Sequence, residues 1–263
     1  MSQVGALIGA IRYEFAMQIR RPSLWIGLGL LAALIYFAGL RAVLDDPLRG
    51  KVLTHHDDIL YWTWSSMGLF TVGAGLLLAD RFQRDRRTRV DEVLRTATAP
   101  ISSRFVGKYL GATLATLVPI AVFYFGGVVY IAARWGDFGA LPFSLATFAL
   151  MGVPPILFVG AFSVACTTVL WQPLYMFLYV GWWFWANLGS GTAIPMISST
   201  YLAPEEPYVA QGIFHFGTYQ FVTTNLRNVS ALQGVLNIAV LLGCGVIALA
   251  AAVWLQKRRV AHE

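Results

Sequence analysis

The chain has 263 residues, of which 57% are hydrophobic and only 12% are charged, whereas a soluble domain usually has about 25% charged residues. This composition excludes an ordinary soluble domain. The net charge of +6 comes from basic residues clustered beside apolar segments, which argues against a nucleic-acid partner and follows membrane topology instead. We therefore expect one all-α integral membrane domain covering residues 1–263.

The N-terminal 25 residues predict an amphipathic helix lying in the inner membrane interface. Its apolar residues recur at helical spacing: Val4, Leu7, Ile8, Ile11, Phe15 and Ile19. Pro22 then turns the chain into the membrane. Two roles remain open for this helix, a structural anchor or a contact with a partner protein.

Six apolar segments follow, and each has about 20 residues or more, enough to cross a hydrocarbon core of about 30 Å. They are 24–44, 59–79, 109–132, 145–170, 174–197 and 233–255. The fourth and fifth are separated by Trp171-Gln172-Pro173, which predicts a tight turn. Pro154-Pro155 predicts a kink in the fourth span. The two cysteines, Cys166 and Cys244, lie in apolar runs and are expected to be packing residues.

The distribution of basic residues predicts the orientation of the spans. With a cytoplasmic N-terminus, fourteen of the 19 Lys and Arg residues lie on the inner side and five on the outer side. This bias places both termini in the cytoplasm. The first span is too long for a cleaved signal peptide, so we expect it to be retained.

Two segments between spans are unusual. Residues 80–108 carry eight Lys or Arg residues and are expected to form a cytoplasmic loop. Residues 198–232 are rich in apolar and aromatic residues but are interrupted by Pro, Gly and Glu. They predict short helices that re-enter or lie in the outer interface before the sixth span.

Sequence motifs for catalysis are absent. The chain has no GxxxxGK[ST] phosphate loop, no HExxH and no GxSxG motif, so no catalytic residue is assigned and no ATP hydrolysis is expected here. The 55–58 run, His-His-Asp-Asp, lacks a second pair of ligands and is not assigned as a metal site. The Asp and Glu residues lie outside the central parts of the spans, which disfavours ion-coupled transport.

Polar and aromatic residues within the spans have two open interpretations. Thr71 and Asn187 fit interhelical hydrogen bonding or an undetermined functional role. Trp182, Trp183 and Trp185 form a cluster in the fifth span that fits an apolar or amphiphilic substrate path, a subunit interface or contact with lipid.

The arrangement as a whole resembles the six-span permease subunits of ABC exporters of the ABC-2 class. The most specific part is VDEVLRTATAPISSRFVGKYLG, in which an acidic pair, a leucine, a proline with a later Ser-Arg, and Gly-Lys lead into the third span. The matching residues are Asp91, Glu92, Leu94, Pro100, Ser103, Arg104, Gly107 and Lys108.

The resemblance implies a coupling helix near 88–98, seated in a groove of a separate ATPase. The coupling region would comprise Val90, Asp91, Glu92, Val93, Leu94, Arg95, Ala97 and Pro100. Its apolar residues would form a docking stripe and its charged residues would set complementarity with the partner. The alternative is a solvated loop that obeys only the positive-inside rule.

The resemblance also implies the partners and the location. Two ATP-binding subunits would carry ATP and Mg, a second permease subunit, identical or related, would complete the path, and this chain would hold no cofactor. The setting would be a bacterial plasma membrane. The second and fifth spans border the path in the family, which would place Thr71, Asn187 and the tryptophan cluster near it. The lack of charged residues inside the spans favours an apolar or amphiphilic cargo. Two other functions remain open: a non-transporting membrane anchor that recruits a cytosolic partner, and a membrane-embedded enzyme using His55, His56, Glu205 or Glu206.

Overall fold

The computed structural model describes residues 3–37, 55–87, 100–187, 197, 200–204, 207–216 and 229–262, and the regular structure within these ranges is entirely helical. The helices are α1 (Gln3–Ile19), α2 (Pro22–Ile35), α3 (His55–Arg87), α4 (Ile101–Trp135), α5 (Ala140–Thr147), α6 (Val153–Cys166), α7 (Gln172–Asn187), α8 (Pro207–Gly212) and α9 (Ala231–His262). The predicted all-α class is therefore confirmed.

Four helical stretches among the described residues are long and apolar enough to cross a membrane. They are His56–Arg81, Ile101–Trp135, Ala140–Cys166 and Ala231–Arg258, and they coincide with the second, third, fourth and sixth predicted spans. The first and fifth predicted spans correspond to α2, with 14 residues, and α7, with 16 residues. The remainder of those two predictions, 38–44 and 188–196, lies outside the described residues.

The helices α3 and α4 extend well beyond the predicted spans. They have 33 and 35 residues, which corresponds to about 50 Å each at about 1.5 Å per residue, against a hydrocarbon core of about 30 Å. The predicted loop at 80–108 was therefore too long, because 80–87 and 101–108 are helical. Arg and Gln are good helix formers, so nothing in these segments ends a helix at the membrane boundary.

The break between the fourth and fifth predicted spans lies a few residues earlier than predicted. The break lies at 167–171, and α7 already begins at Gln172. Pro173 therefore occupies the first turn of α7, where its missing N–H costs no helical hydrogen bond. A kink was predicted at Pro154-Pro155. The structure has a π-helical turn, Phe148–Gly152, directly before these two prolines. Two consecutive prolines remove two N–H donors, which a π-turn can accommodate.

The main core lies where α2, α3, α4 and α5 meet. Trp62 of α3 and Tyr124 of α4 are fully buried at its centre. The Trp62 indole N–H donates to the Tyr124 carbonyl oxygen at 3.1 Å. The helix α9 packs mainly on α6 and leaves most of its apolar surface exposed, as expected for a helix that faces lipid or another subunit.

The predicted N-terminal helix is present, and it packs along the beginning of α4. Gly107 and Gly111 of α4 allow this contact, since a Cβ on Gly111 would lie 2.7 Å from the Ile11 carbonyl oxygen. This is the close backbone approach that a small-xxx-small pattern provides. The side chains of Val4 and Ile8 remain 65% and 51% exposed, so part of the predicted apolar face stays available to lipid.

We predict that Gly111→Ala destabilises the protein. The added methyl would force α1 away from α4, at a cost of about 1–3 kcal/mol, and should lower the temperature at which half the protein is lost from the monodisperse peak in detergent. Gly243→Ala is the matched control, because a Cβ there meets no atom within 4 Å. An equal midpoint for both variants would contradict the close packing.

Candidate functional site

The predicted coupling region lies almost entirely outside the described residues. Only Pro100 among its eight members is described, and it is the N-cap residue of α4 with φ −59° and ψ 142°. This extended backbone suits a residue that leads a chain into a helix. What the structure does define is the framework on either side of the 88–99 segment, namely the ends of α3 and α4.

An ion pair joins α1 to the end of α3. The Arg81 guanidinium donates to Glu14 Oε2 through Nε at 2.9 Å and also through Nη2. The Arg81 side chain is 1% exposed and the Glu14 side chain 9% exposed. Because isolated buried charges are strongly unfavourable, this contact ties α1 to one position on α3.

The helix α1 therefore contacts both helices that flank the 88–99 segment. Its Glu14 reaches Arg81 of α3, while its backbone near Ile11 lies against Gly107 and Gly111 of α4. We call these contacts the α1 clamp. A displacement applied to the 88–99 segment would pass into α3, α4 and α1 together, since close-packed helices move as units rather than deform continuously.

Two of the predicted path residues meet around one tyrosine. The Tyr179 hydroxyl donates to the Thr71 carbonyl oxygen at 2.8 Å, and the Thr71 hydroxyl donates to the Met67 carbonyl oxygen at 2.7 Å. The Trp182 ring stacks on the Tyr179 ring with 6.2 Å between centroids. Thr71 and Trp182 thus contribute to the contact between α3 and α7.

The other three path residues divide between two faces of α7. Trp183 and Asn187 are buried, at 4% and 2% exposure, and the Asn187 amide donates to the Trp183 carbonyl oxygen at 2.9 Å. The Trp183 Nε1 and Asn187 Oδ1 atoms have no hydrogen-bond partner within the described ranges. Trp185 is 46% exposed. Trp183 and Asn187 are therefore inside the bundle, whereas Trp185 lies at its surface.

Of the four residues proposed for the enzyme alternative, only the side chain of His56 is described. The His56 ring packs on Phe143, with 4.4 Å between ring centroids, while Glu205 and Glu206 lie outside the described residues. Within the described part of the chain, no three His, Cys, Asp or Glu side chains are grouped to hold a metal ion.

Interhelical hydrogen bonds were expected from the polar residues of the spans, but sequence reasoning did not identify the tyrosines as their partners. Tyr124, Thr63 and Thr147 form a cluster of hydroxyls with separations of 2.8 and 2.9 Å around the tyrosine oxygen. The Ser163 hydroxyl similarly contacts the Tyr175 hydroxyl at 2.8 Å. The sequence does contain a hint of the Glu14–Arg81 ion pair, because Glu14 is the only acidic residue before position 45.

Comparisons of this chain with protein-family models, with curated proteins and with solved structures gave no match.

We predict strong coupling between Glu14 and Arg81. Glu14→Gln or Arg81→Gln alone should destabilise the protein by about 3–5 kcal/mol, because each leaves a charge in a buried position. The double variant should lose less than the sum of the single changes. Denaturant unfolding in a fixed detergent measures all four proteins, and Arg12→Gln, on the exposed face of α1, is the control. Strictly additive losses would contradict the assigned pairing.

Proposed function

We propose that this chain is the permease subunit of an ATP-driven exporter of the ABC-2 class, with ATP bound and hydrolysed on a separate subunit. The observation that supports this most directly is the α1 clamp. It joins α3 and α4 beside the one segment, 88–99, in which the sequence places the docking stripe. A membrane protein driven by a cytosolic motor needs such a rigid connection between the docking segment and its spans.

The proposed mechanism needs no energy source in this chain. The coupling helix near 88–98 would sit in a groove of the ATPase, and ATP binding would draw two ATPases together. Because ATP would favour one arrangement of the ATPase pair, it would shift the equilibrium between inward-facing and outward-facing permeases. The α1 clamp would carry that movement into α3 and α4.

The substrate class follows from the interior of the bundle. Trp183 Nε1 and Asn187 Oδ1 offer one donor and one acceptor in an otherwise apolar region of α7. Such sparse polarity supports an apolar or amphiphilic cargo rather than an ion. The exposed rings of Phe177, Phe184 and Trp185 would face lipid or the second permease subunit.

In this proposal the ends of α3 and α4 that flank 88–99, together with both chain termini, are cytoplasmic, and the membrane is a bacterial plasma membrane. The support for this orientation is the excess of basic residues at that end of the chain's helices.

We predict that Leu94→Asp releases or uncouples the ATPase. An aspartate in the docking stripe would have to be desolvated on binding, which should lower the affinity by at least about tenfold, since one unpaired buried charge costs more than 1.4 kcal/mol. The measurements are co-purification of a protein bearing a phosphate-binding loop from the native host, and its ATPase rate in the purified complex.

Thr96→Asp is the matched control, because it adds the same charge at a polar position that is not one of the four stripe residues Val90, Val93, Leu94 and Ala97. Full retention of the ATPase and of its turnover with Leu94→Asp would refute the docking assignment. Retention of a partner whose ATP turnover does not respond to this chain would favour the anchor function instead.

A further inference from the structure

A polar cavity lies at the end of the bundle where α1 passes into α2. It has a volume of about 360 Å³ and is bounded by α1, α2, α3 and α7. Its polar lining consists of Gln18, Arg21, Ser23, Asp80 and Gln172, and its apolar lining of Leu24, Leu76, Leu77 and Met176. A cavity of this size, near the low end of the range of about 300–1,000 Å³ for ligand sites, suits a headgroup rather than a complete lipid.

One side of the cavity presents groups that bind anions. Arg21 is the N-cap of α2 and Ser23 follows in the first turn, so a guanidinium and the positive end of the helix dipole occur together. Gln18, which also lines the cavity, is only 2% exposed, and its Oε1 has no hydrogen-bond partner within the described ranges. This buried amide oxygen is an acceptor, so it would be satisfied by a ligand that also carries a hydrogen-bond donor.

A second side presents a carboxylate. Asp80 of α3 accepts a hydrogen bond from Gln172 Nε2 at 3.3 Å, and both side chains line the cavity. Because the two ionisable lining residues have opposite charges, a ligand with a second negative charge would be repelled by Asp80. A ligand with one phosphate and one ammonium group satisfies both residues.

The lining also distinguishes between kinds of ammonium group. Quaternary ammonium groups are recognised by aromatic cages, and none of the nine lining residues is aromatic. A primary ammonium can instead donate hydrogen bonds to the Asp80 carboxylate and to an amide oxygen. We propose that this cavity binds a phosphoethanolamine group, presented by a phosphatidylethanolamine of the surrounding membrane.

The apolar lining supports a lipid as the source. Leu24 and Met176 border the cavity, and Phe177, next to Met176 on α7, is 78% exposed on the outside of the bundle. Acyl chains attached to a bound headgroup would leave along such a surface. Basic pockets between helices at a membrane surface bind lipid headgroups in this way. The inference does not depend on transport, since it concerns binding in the absence of ATP.

The test measures the thermal midpoint of delipidated protein in detergent, with added dioleoyl lipids at equal mole fraction. Phosphatidylethanolamine should raise the midpoint at least about 3 °C further than phosphatidylcholine, as expected for a ligand present well above its Kd. Equal shifts with the two lipids would overturn the proposal. Soluble phosphoethanolamine is tested separately. If it raises the midpoint and the lipid does not, the cavity binds a phosphoethanolamine group, but one that comes from a soluble compound rather than from a lipid.

Two variants examine the two charges separately. Arg21→Gln should abolish the shift with phosphatidylethanolamine, whereas Arg20→Gln, which removes the same charge from an exposed neighbour outside the lining, should retain it. Asp80→Asn should still be stabilised by both lipids but should distinguish them much less, because its neutral amide cannot form the charge-assisted bond that the carboxylate makes with an ammonium group. Loss of the shift in Arg20→Gln, or full discrimination in Asp80→Asn, would overturn the proposal.

Discussion

The position of α1 depends on a buried pair of opposite charges. Removing Glu14 and Arg81 from water costs several kcal/mol for each ion, and only close geometry between them compensates for that cost. The helix therefore cannot slide or rotate on α4 without exposing one charge to an apolar environment. The glycines at 107 and 111 bring the backbones close enough for this geometry. A helix that sequence alone describes as a surface anchor is thereby an integral part of the bundle.

The same logic applies to the polar groups within the spans. In hydrocarbon, a hydroxyl without a partner is unfavourable, and the Tyr124 and Tyr175 hydroxyls both find partners on neighbouring helices. Each of these hydrogen bonds determines which faces of the two helices pack together. Within the described ranges, Trp183 Nε1 and Asn187 Oδ1 of α7 lack partners, as do Thr113 Oγ1 of α4 and Asn237 Oδ1 of α9. A missing partner therefore does not by itself mark a substrate path, and Trp183 and Asn187 are candidates for one only through the proposed function.

Four of the six predicted spans match helices that are long and apolar enough to cross a membrane, and they could be predicted because hydrocarbon thickness sets a minimum length for an apolar run. The ends of α3 and α4 could not, because a charged residue ends the apolar run without ending the helix. Arg81 illustrates the difference: composition assigns it to a solvated loop, whereas the structure buries it. Its partner Glu14 is 67 positions away, and no local periodicity reports a pairing at that separation.

The positions of the predicted path residues on α7 could be predicted from sequence only in part, for a related reason. Helical spacing does place Trp183 and Asn187, which are four residues apart, on one face of α7. It also places Trp185, two residues from each of them, on the other side of the helix. It cannot tell which face of α7 meets α3. The cavity near Arg21 was invisible for the same reason, because its lining comes from four helices. Sites built by one helix can thus be read from spacing, whereas sites built between helices require the packing that buried charges and hydroxyls determine.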